Sequence, residues 1–224
     1  MRTPLTAERT LLQVALADPD ASTQTLRSAC QQVLALGDQQ ERLIEAMLTL
    51  AGSERGIARW EPFDLADIAR QAIAERRQEA GRRSIRIDAE LGAAPATGDP
   101  NLAVSLVANL ADNAIRHNLD GGLVTISTSQ ADGLSVVSVS NSGAVIPAGE
   151  VDRLFQPFQR LGAERIRHTG GHGLGLAIVR AIAGAHGATL TASARPGGGL
   201  SISVSFPPSP RRPNPAEARA TGNG

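Results

Sequence analysis

Apolar and polar positions along the chain fall into two kinds of pattern. From Thr6 to about Ala17 the segment TAERTLLQVALA permits a helix, which stops at the turn signal Asp18-Pro19-Asp20. A second helix is expected to start at Ser22, whose hydroxyl can cap it, and to place Leu26, Cys30, Val33, Ile44, Met47 and Leu50 at helical spacings to about Ser53, with Gly37 a weak point. Two antiparallel helices this short cannot bury their apolar stripes alone. They are expected to pair with a second copy of the chain in a four-helix bundle.

The pattern breaks between Gly52 and Glu61, and Pro62-Phe63-Asp64-Leu65 opens a different region. It predicts a helix over Leu65 to Ala80, a strand over Ser84 to Glu90 and a helix over Asn101 to about Asn118. Strands over Val124 to Ser129 and Leu134 to Ser140 then read as a hairpin joined through Ala131-Asp132-Gly133. An irregular stretch rich in Gly and Arg runs to Gly173, broken by a short helical piece near Val151 to Phe155. A helix over Leu174 to Ala185 and strands over Thr189 to Ala194 and Leu200 to Phe206 close the region. This mixture in this order predicts the α+β class, as a two-layer α/β sandwich preceded by a helical hairpin. The expected division is a hairpin over 1–55, a larger domain over 62–207 and a tail over 208–224 whose Pro, Arg, Ala and Gly lack periodicity and predict disorder.

Composition narrows the function classes. The 22 basic and 22 acidic residues cancel, which removes the electrostatic argument for nucleic acid or an anionic membrane surface as the main partner. The single Cys30 excludes an intramolecular disulfide framework, suits a reducing compartment and reads as a small apolar core residue. No apolar run approaches the ~20 residues that span a bilayer, and no signal-peptide h-region follows Met1. The expected location is cytoplasmic, with any membrane tether supplied by a region upstream.

The chemistry concentrates in two segments. In the helix from Asn101, the residues Leu102, Leu106, Asn109, Asn113 and Arg116 step by 4, 3, 4 and 3 and so form one line, apolar at its start and polar at its end, with His117 beside it. Two Asn at i and i+4 can offer carbonyl oxygens to a hard cation, and an Arg can meet a phosphate. Taken alone, the same Asn residues read more readily as satisfying nearby loop backbone. The second segment is GGHGLGLAIV, Gly170 to Val179, where glycines admit close approach of a ligand and the following helix aims unpaired N–H groups at it. A dinucleotide fingerprint would follow a strand and precede an acidic residue by ~20 positions. Here the glycines follow a long loop, and Arg195 stands at that place.

Together these segments resemble a known family. NLADNAIRHN (Asn109 to Asn118), VSNSGAVIP (Val139 to Pro147), LFQPF (Leu154 to Phe158) and GGHGLGLAIV resemble, in order and spacing over about seventy residues, the N, G1, F and G2 boxes of sensor histidine kinases. The resemblance covers Phe63 to about Pro207 and implies the ATP-binding fold shared with gyrase and heat-shock-90-type chaperones. Upstream, Arg2-Thr3-Pro4-Leu5-Thr6 is similar to the end of the H box, which makes the first two helices a dimerisation and phosphotransfer hairpin.

By that resemblance Asn113 is a Mg²⁺ ligand with Asn109 beside metal and phosphates, while Arg116 and His117 contact phosphate. Gly143 belongs to the base-side loop, and Gly171, Gly173, Leu174 and Gly175 to the phosphate-side turn. Arg160, Arg165, Arg167 and His168 fall in the lid over the γ-phosphate, and Phe155 and Phe158 pack its base. Asn141 stands where most members carry the Asp that accepts from the adenine amino group. An Asn can accept from that group and donate to a ring nitrogen. The acceptor loses its charge, which predicts modest affinity. Val145 replaces the usual second glycine of that box. Asn109 stands where the gyrase and chaperone branch has a Glu that activates water, so slow hydrolysis is expected.

By the family's spacing the phospho-accepting His and its assisting Glu would precede Met1, so no catalytic residue of that kind is present, and Thr3 falls at a position linked to phosphatase activity. The resemblance implies ATP and Mg²⁺ as ligands, a homodimer through the hairpin and a response regulator as partner. Two other readings remain: an ATP-binding regulatory module without phosphotransfer, and an anti-sigma-factor-type serine kinase, against which the two helices ahead of Phe63 speak.

Overall fold

The computed structural model describes residues 13–16, 22–31, 33–34, 57, 59–147, 149–157, 159 and 173–208. In the N-terminal part, residues 13–16, 23–31 and 33–34 are helical. Ser22 caps the second helix as its hydroxyl predicts, its Oγ accepting from the Thr25 N–H at 3.1 Å. Cys30 is exposed, as are Leu26 and Leu34, which corrects the expectation of a core cysteine. Its helix turns that side outward in the single chain. The predicted continuation to Ser53 lies outside the described residues.

The rest is a sheet covered on one face by helices. The elements are β1 (Glu61–Asp64), α1 (Leu65–Arg82), β2 (Arg86–Leu91), β3 (Pro95–Gly98), α2 (Pro100–Arg116), β4 (Leu123–Ala131), β5 (Leu134–Asn141), a 3-10 turn (Asp152–Phe155), α3 (Gly175–Ala185), β6 (Thr189–Ala194) and β7 (Leu200–Phe206). Five strands form one sheet in the order β2-β4-β5-β7-β6, and β1 pairs with β3 separately. Only the β2–β4 pair is parallel in the larger sheet. The three helices pack side by side, α1 on α2 and α2 on α3, with all three reaching the sheet.

Alternation explains the layering. Val124, Ile126 and Thr128 on β4, Val137 and Val139 on β5, and Leu200, Ile202, Val204 and Phe206 on β7 are buried, while the Ser and Thr residues between them are mostly half-exposed. The inner rows align across strands, as in Ile126–Val139–Ile202. They meet Leu106, Val107, Leu110 and Ile115 of α2 and Val179 and Ile182 of α3 in one core.

Both long helices are capped by Asp. Asp64 Oδ1 accepts from the N–H groups of Ala66 (2.8 Å) and Ala94 (3.0 Å), tying α1 to the strand preceding α2. Asp99 Oδ1 accepts from Asn101 (2.9 Å) and Leu102 (3.3 Å), with Pro100 just inside α2. Strand β2 starts two residues later than predicted, because Ser84 takes a positive φ of 52° in the turn after α1. The pair β1–β3 was not anticipated. Each has four residues, including Pro62 and Pro95, and neither alternates in polarity. Among the described residues no helix is long and apolar enough to cross a membrane.

Candidate nucleotide site

Helix α2 supplies the polar line foreseen in its sequence. Leu106 is fully buried, Asn109 and Asn113 are half-buried and Arg116 is exposed, so the line leaves the core as it approaches the helix end. Asn109 Nδ2 donates back to the Ser105 carbonyl at 2.8 Å, which leaves Oδ1 turned towards α3. A Cβ at Gly175 would stand 3.2 Å from that oxygen, so the first residue of α3 meets Asn109 with no side chain between them. Asn113, one turn on, makes no side-chain hydrogen bond among the described residues. Two amide oxygens with this exposure fit a hard cation.

Helix α3 begins without a side-chain cap at Leu174, and Gly173 holds the positive φ of 67° that its approach needs. The uncapped N–H groups of its first turn present a partial positive charge beside Asn109. An anion fits there. Phe155 is buried in the core and its 3-10 turn packs on α3. Thr3, Phe158, Arg160, Arg165, Arg167, His168 and Gly171 lie outside the described residues.

At the far side, β5 ends on Asn141, which sits on the inner face between Val124 and Leu200 and is 4% exposed. Its Nδ2 donates to the Ser142 carbonyl at 2.8 Å. One of the two Nδ2 hydrogens is thereby used, while Oδ1 has no partner among the described residues and is not sealed from solvent. Gly143 is required by crowding, since a Cβ there would lie 2.6 Å from the His117 carbonyl. That contact brings the end of α2, where His117 is the C-cap, against the loop after β5.

Sequence reasoning missed the residues that hold these parts in place. Arg83 donates to the carbonyls of Ile115, Arg116 (3.1 Å) and Asn118 (2.9 Å) and so caps the C-terminus of α2. Arg76 grips Asp112, the neighbour of Asn113, through Nε (2.6 Å) and Nη2 (3.1 Å). Burial alone would lower the pKa of Arg76, but bonding and charge from Asp112, helped by Glu75, raise it above its ordinary value. The glycines of the β6–β7 turn pack on the end of β5 and the loop after it: Gly199 N–H donates to the Ala144 carbonyl at 2.9 Å, and any side chain there would strike the Asn141 backbone. No local pattern marks these partners, because each lies tens of residues from what it holds.

Residues 98–210 match the family of histidine kinase-, DNA gyrase B- and HSP90-like ATPases. The sensor protein CutS of Streptomyces coelicolor is 41% identical over 208 residues, 92% of this chain and 50% of CutS. The sensor-like histidine kinase SenX3 of Mycobacterium tuberculosis is 33% identical over 215 residues, covering 92% of this chain and 51% of SenX3. Among solved structures, the Acinetobacter baumannii histidine kinase AdeS superposes with a TM-score of 0.71 at 25% identity, over 93% of this chain and 97% of that one. The chain spans about half the length of these curated relatives. Most of its length is similar to sensor histidine kinases, and it belongs to the family of histidine kinase-, DNA gyrase B- and HSP90-like ATPases.

Proposed function

We propose that this region binds Mg-ATP between the polar end of α2 and the N-terminus of α3, and gives the γ-phosphoryl group to a histidine on a helical hairpin. The observation that carries the reading is the meeting of Asn109 Oδ1 with the side-chain-free first residue of α3. Asn113 and Asn109 hold the metal, which when bound neutralises charge on the phosphates. The first turn of α3, from Gly173, Leu174 and Gly175, cradles phosphate, joined by Gly171 and Arg160. Arg116 and His117 meet phosphate from α2, and Asn141 and Gly143 hold the base. Positioning and charge are most of what phosphoryl transfer asks of a protein.

Asn109 also explains why ATP would persist until the acceptor arrives. An amide cannot take a proton, and its Nδ2 is committed to Ser105, so no general base faces a water from this position. Pairing through the hairpin would make the homodimer, a response regulator would receive the phosphoryl group, and Thr3, at a sequence position linked to phosphatase activity, would serve its hydrolysis from that regulator.

The test supplies the acceptor separately. The full chain is incubated with labelled ATP, Mg²⁺ and a hairpin carrying a complete H box. Acid-labile, base-stable label on the hairpin is expected. Label on neither supports an ATP-binding regulatory module instead, and label on this chain alone means that one of its 4 histidines is an acceptor.

A further inference from the structure

The amide of Asn141 has two ends, and one rotation of it is favoured. Rotating it by half a turn would set Oδ1 against the Ser142 carbonyl at 2.8 Å, two acceptors with no proton between them. The Ser142 carbonyl therefore keeps Nδ2 towards itself and Oδ1 outward. That carbonyl cannot easily turn away, because Ser142 is fastened at three points. Its N–H donates to the Leu123 carbonyl (2.9 Å), its Oγ accepts from the Leu123 N–H (2.8 Å), and its hydroxyl donates to Asn118 Oδ1 (2.6 Å). Asn118, 7% exposed, is itself fixed by donation to the Leu123 carbonyl at 3.1 Å. Gly122 leaves room for this knot, since a Cβ there would collide with both Asn118 Oδ1 and Ser142 Oγ.

Resting on the ATP reading above, we infer that Ser142 and Asn118 are positioning residues that hold Asn141 as an acceptor and so make the site select a 6-amino purine over a 6-oxo purine. A freely rotating Asn is ambivalent: it can accept from a 6-amino group or donate to a 6-oxo group. A fixed Asn is not. With Oδ1 held towards the 6-position, a 6-amino group donates to it, whereas a 6-oxo group meets a second acceptor. The structure thus gives a neutral side chain the discrimination of a carboxylate, which offers only acceptors at either rotation.

The experiment measures dissociation constants of the full chain for ATP and for inosine triphosphate, which differ at the 6-position. The parent is expected to prefer ATP by about tenfold or more, the order of discrimination that one mismatched polar contact gives. Ser142→Ala is expected to cut that ratio by about fivefold, and Ser142→Thr, which keeps the hydroxyl, to restore it. In an Asn141→Asp background, Ser142→Ala should leave the ratio unchanged, because a carboxylate has no donor end to release. General damage to the fold weakens both nucleotides alike and leaves the ratio where it was. The inference is overturned if Ser142→Ala leaves the ratio intact, if it shifts the ratio equally in the Asn141→Asp background, or if the parent binds both nucleotides alike. If the parent binds neither, the ATP reading falls as well.

Discussion

Asn109 Oδ1 and the α-carbon of Gly175 face each other so closely that one methyl group, 3.2 Å from that oxygen, would press on it. The two residues come from different helices and are separated by the whole β4–β5 hairpin. Their approach joins the amide line of α2 to the uncapped start of α3, and the predictions begin there.

Gly175→Ala should separate stability from binding. Alanine in place of glycine favours a helix by up to about 1 kcal/mol, and Gly175 is not at positive φ, so the fold should be as stable or more so. The added methyl displaces Asn109 Oδ1 from the place proposed for metal and phosphate. A higher or equal melting temperature with Mg-ATP affinity at least about tenfold weaker is the expected pair of results. Equal affinity would show that Asn109 does not serve the nucleotide.

Asn113→Ala should abolish Mg-dependent ATP binding while leaving the free energy of unfolding within about 0.5 kcal/mol of the parent. The half-buried side chain of Asn113 bonds to no described group, so the fold loses little. Titration of labelled ATP with and without Mg²⁺ reads the effect. Retained metal dependence would move the ligand role elsewhere.

The Arg76–Asp112 pair should matter to stability rather than to chemistry. Arg76 is 13% exposed in its side chain and Asp112 44%, so removing Arg76 leaves a carboxylate that solvent partly rescues. Arg76→Met is expected to cost about 1–3 kcal/mol by urea denaturation, less than a fully buried pair. Lysine should recover little, since it cannot bond both carboxylate oxygens. With its pKa raised in the fold, Arg76 contributes fully below its unfolded value and would lose that contribution only in strong alkali. The cost should therefore not vary between mildly acidic and mildly alkaline buffer through this group.

His186 should prove a structural residue despite its chemistry. It is 1% exposed, with Nδ1 facing the Ile182 carbonyl at 2.9 Å and Nε2 accepting from the Asp99 N–H at 3.2 Å. Its ring stands edge-on to Trp60, Phe63 and Phe206, with centroids 6.2, 6.3 and 5.3 Å away. Gly98 lacks the Cβ that would strike the ring. His186→Leu leaves the Asp99 N–H without its acceptor at the very start of α2, at a cost of about 2 kcal/mol or more. ATP affinity measured where the variant is fully folded should match the parent, and a selective loss of affinity would assign His186 a part in the site.

The sequence by itself determined the elements whose pattern is local: the amphipathic helices α1, α2 and α3, the alternating strands β4 to β7, the Ser22 cap and the line from Leu102 to Arg116. These follow from periodicities of 3.6 and 2, which any one segment carries alone. It also determined the family, because four boxes in order are a statement about residues and spacing. Tertiary structure alone decided how those pieces serve one another. That β1 and β3 are strands depends on each finding the other, since two prolines and four residues apiece give no alternation. That Cys30 lies outward depends on which side of its helix is covered in one chain. Asn141 shows the division most plainly: its position marked it as the residue facing the base, but which end of its amide faces outward is set by Ser142, Leu123 and Asn118. Such directions arise from hydrogen bonds between groups distant in sequence, and no spacing rule encodes them.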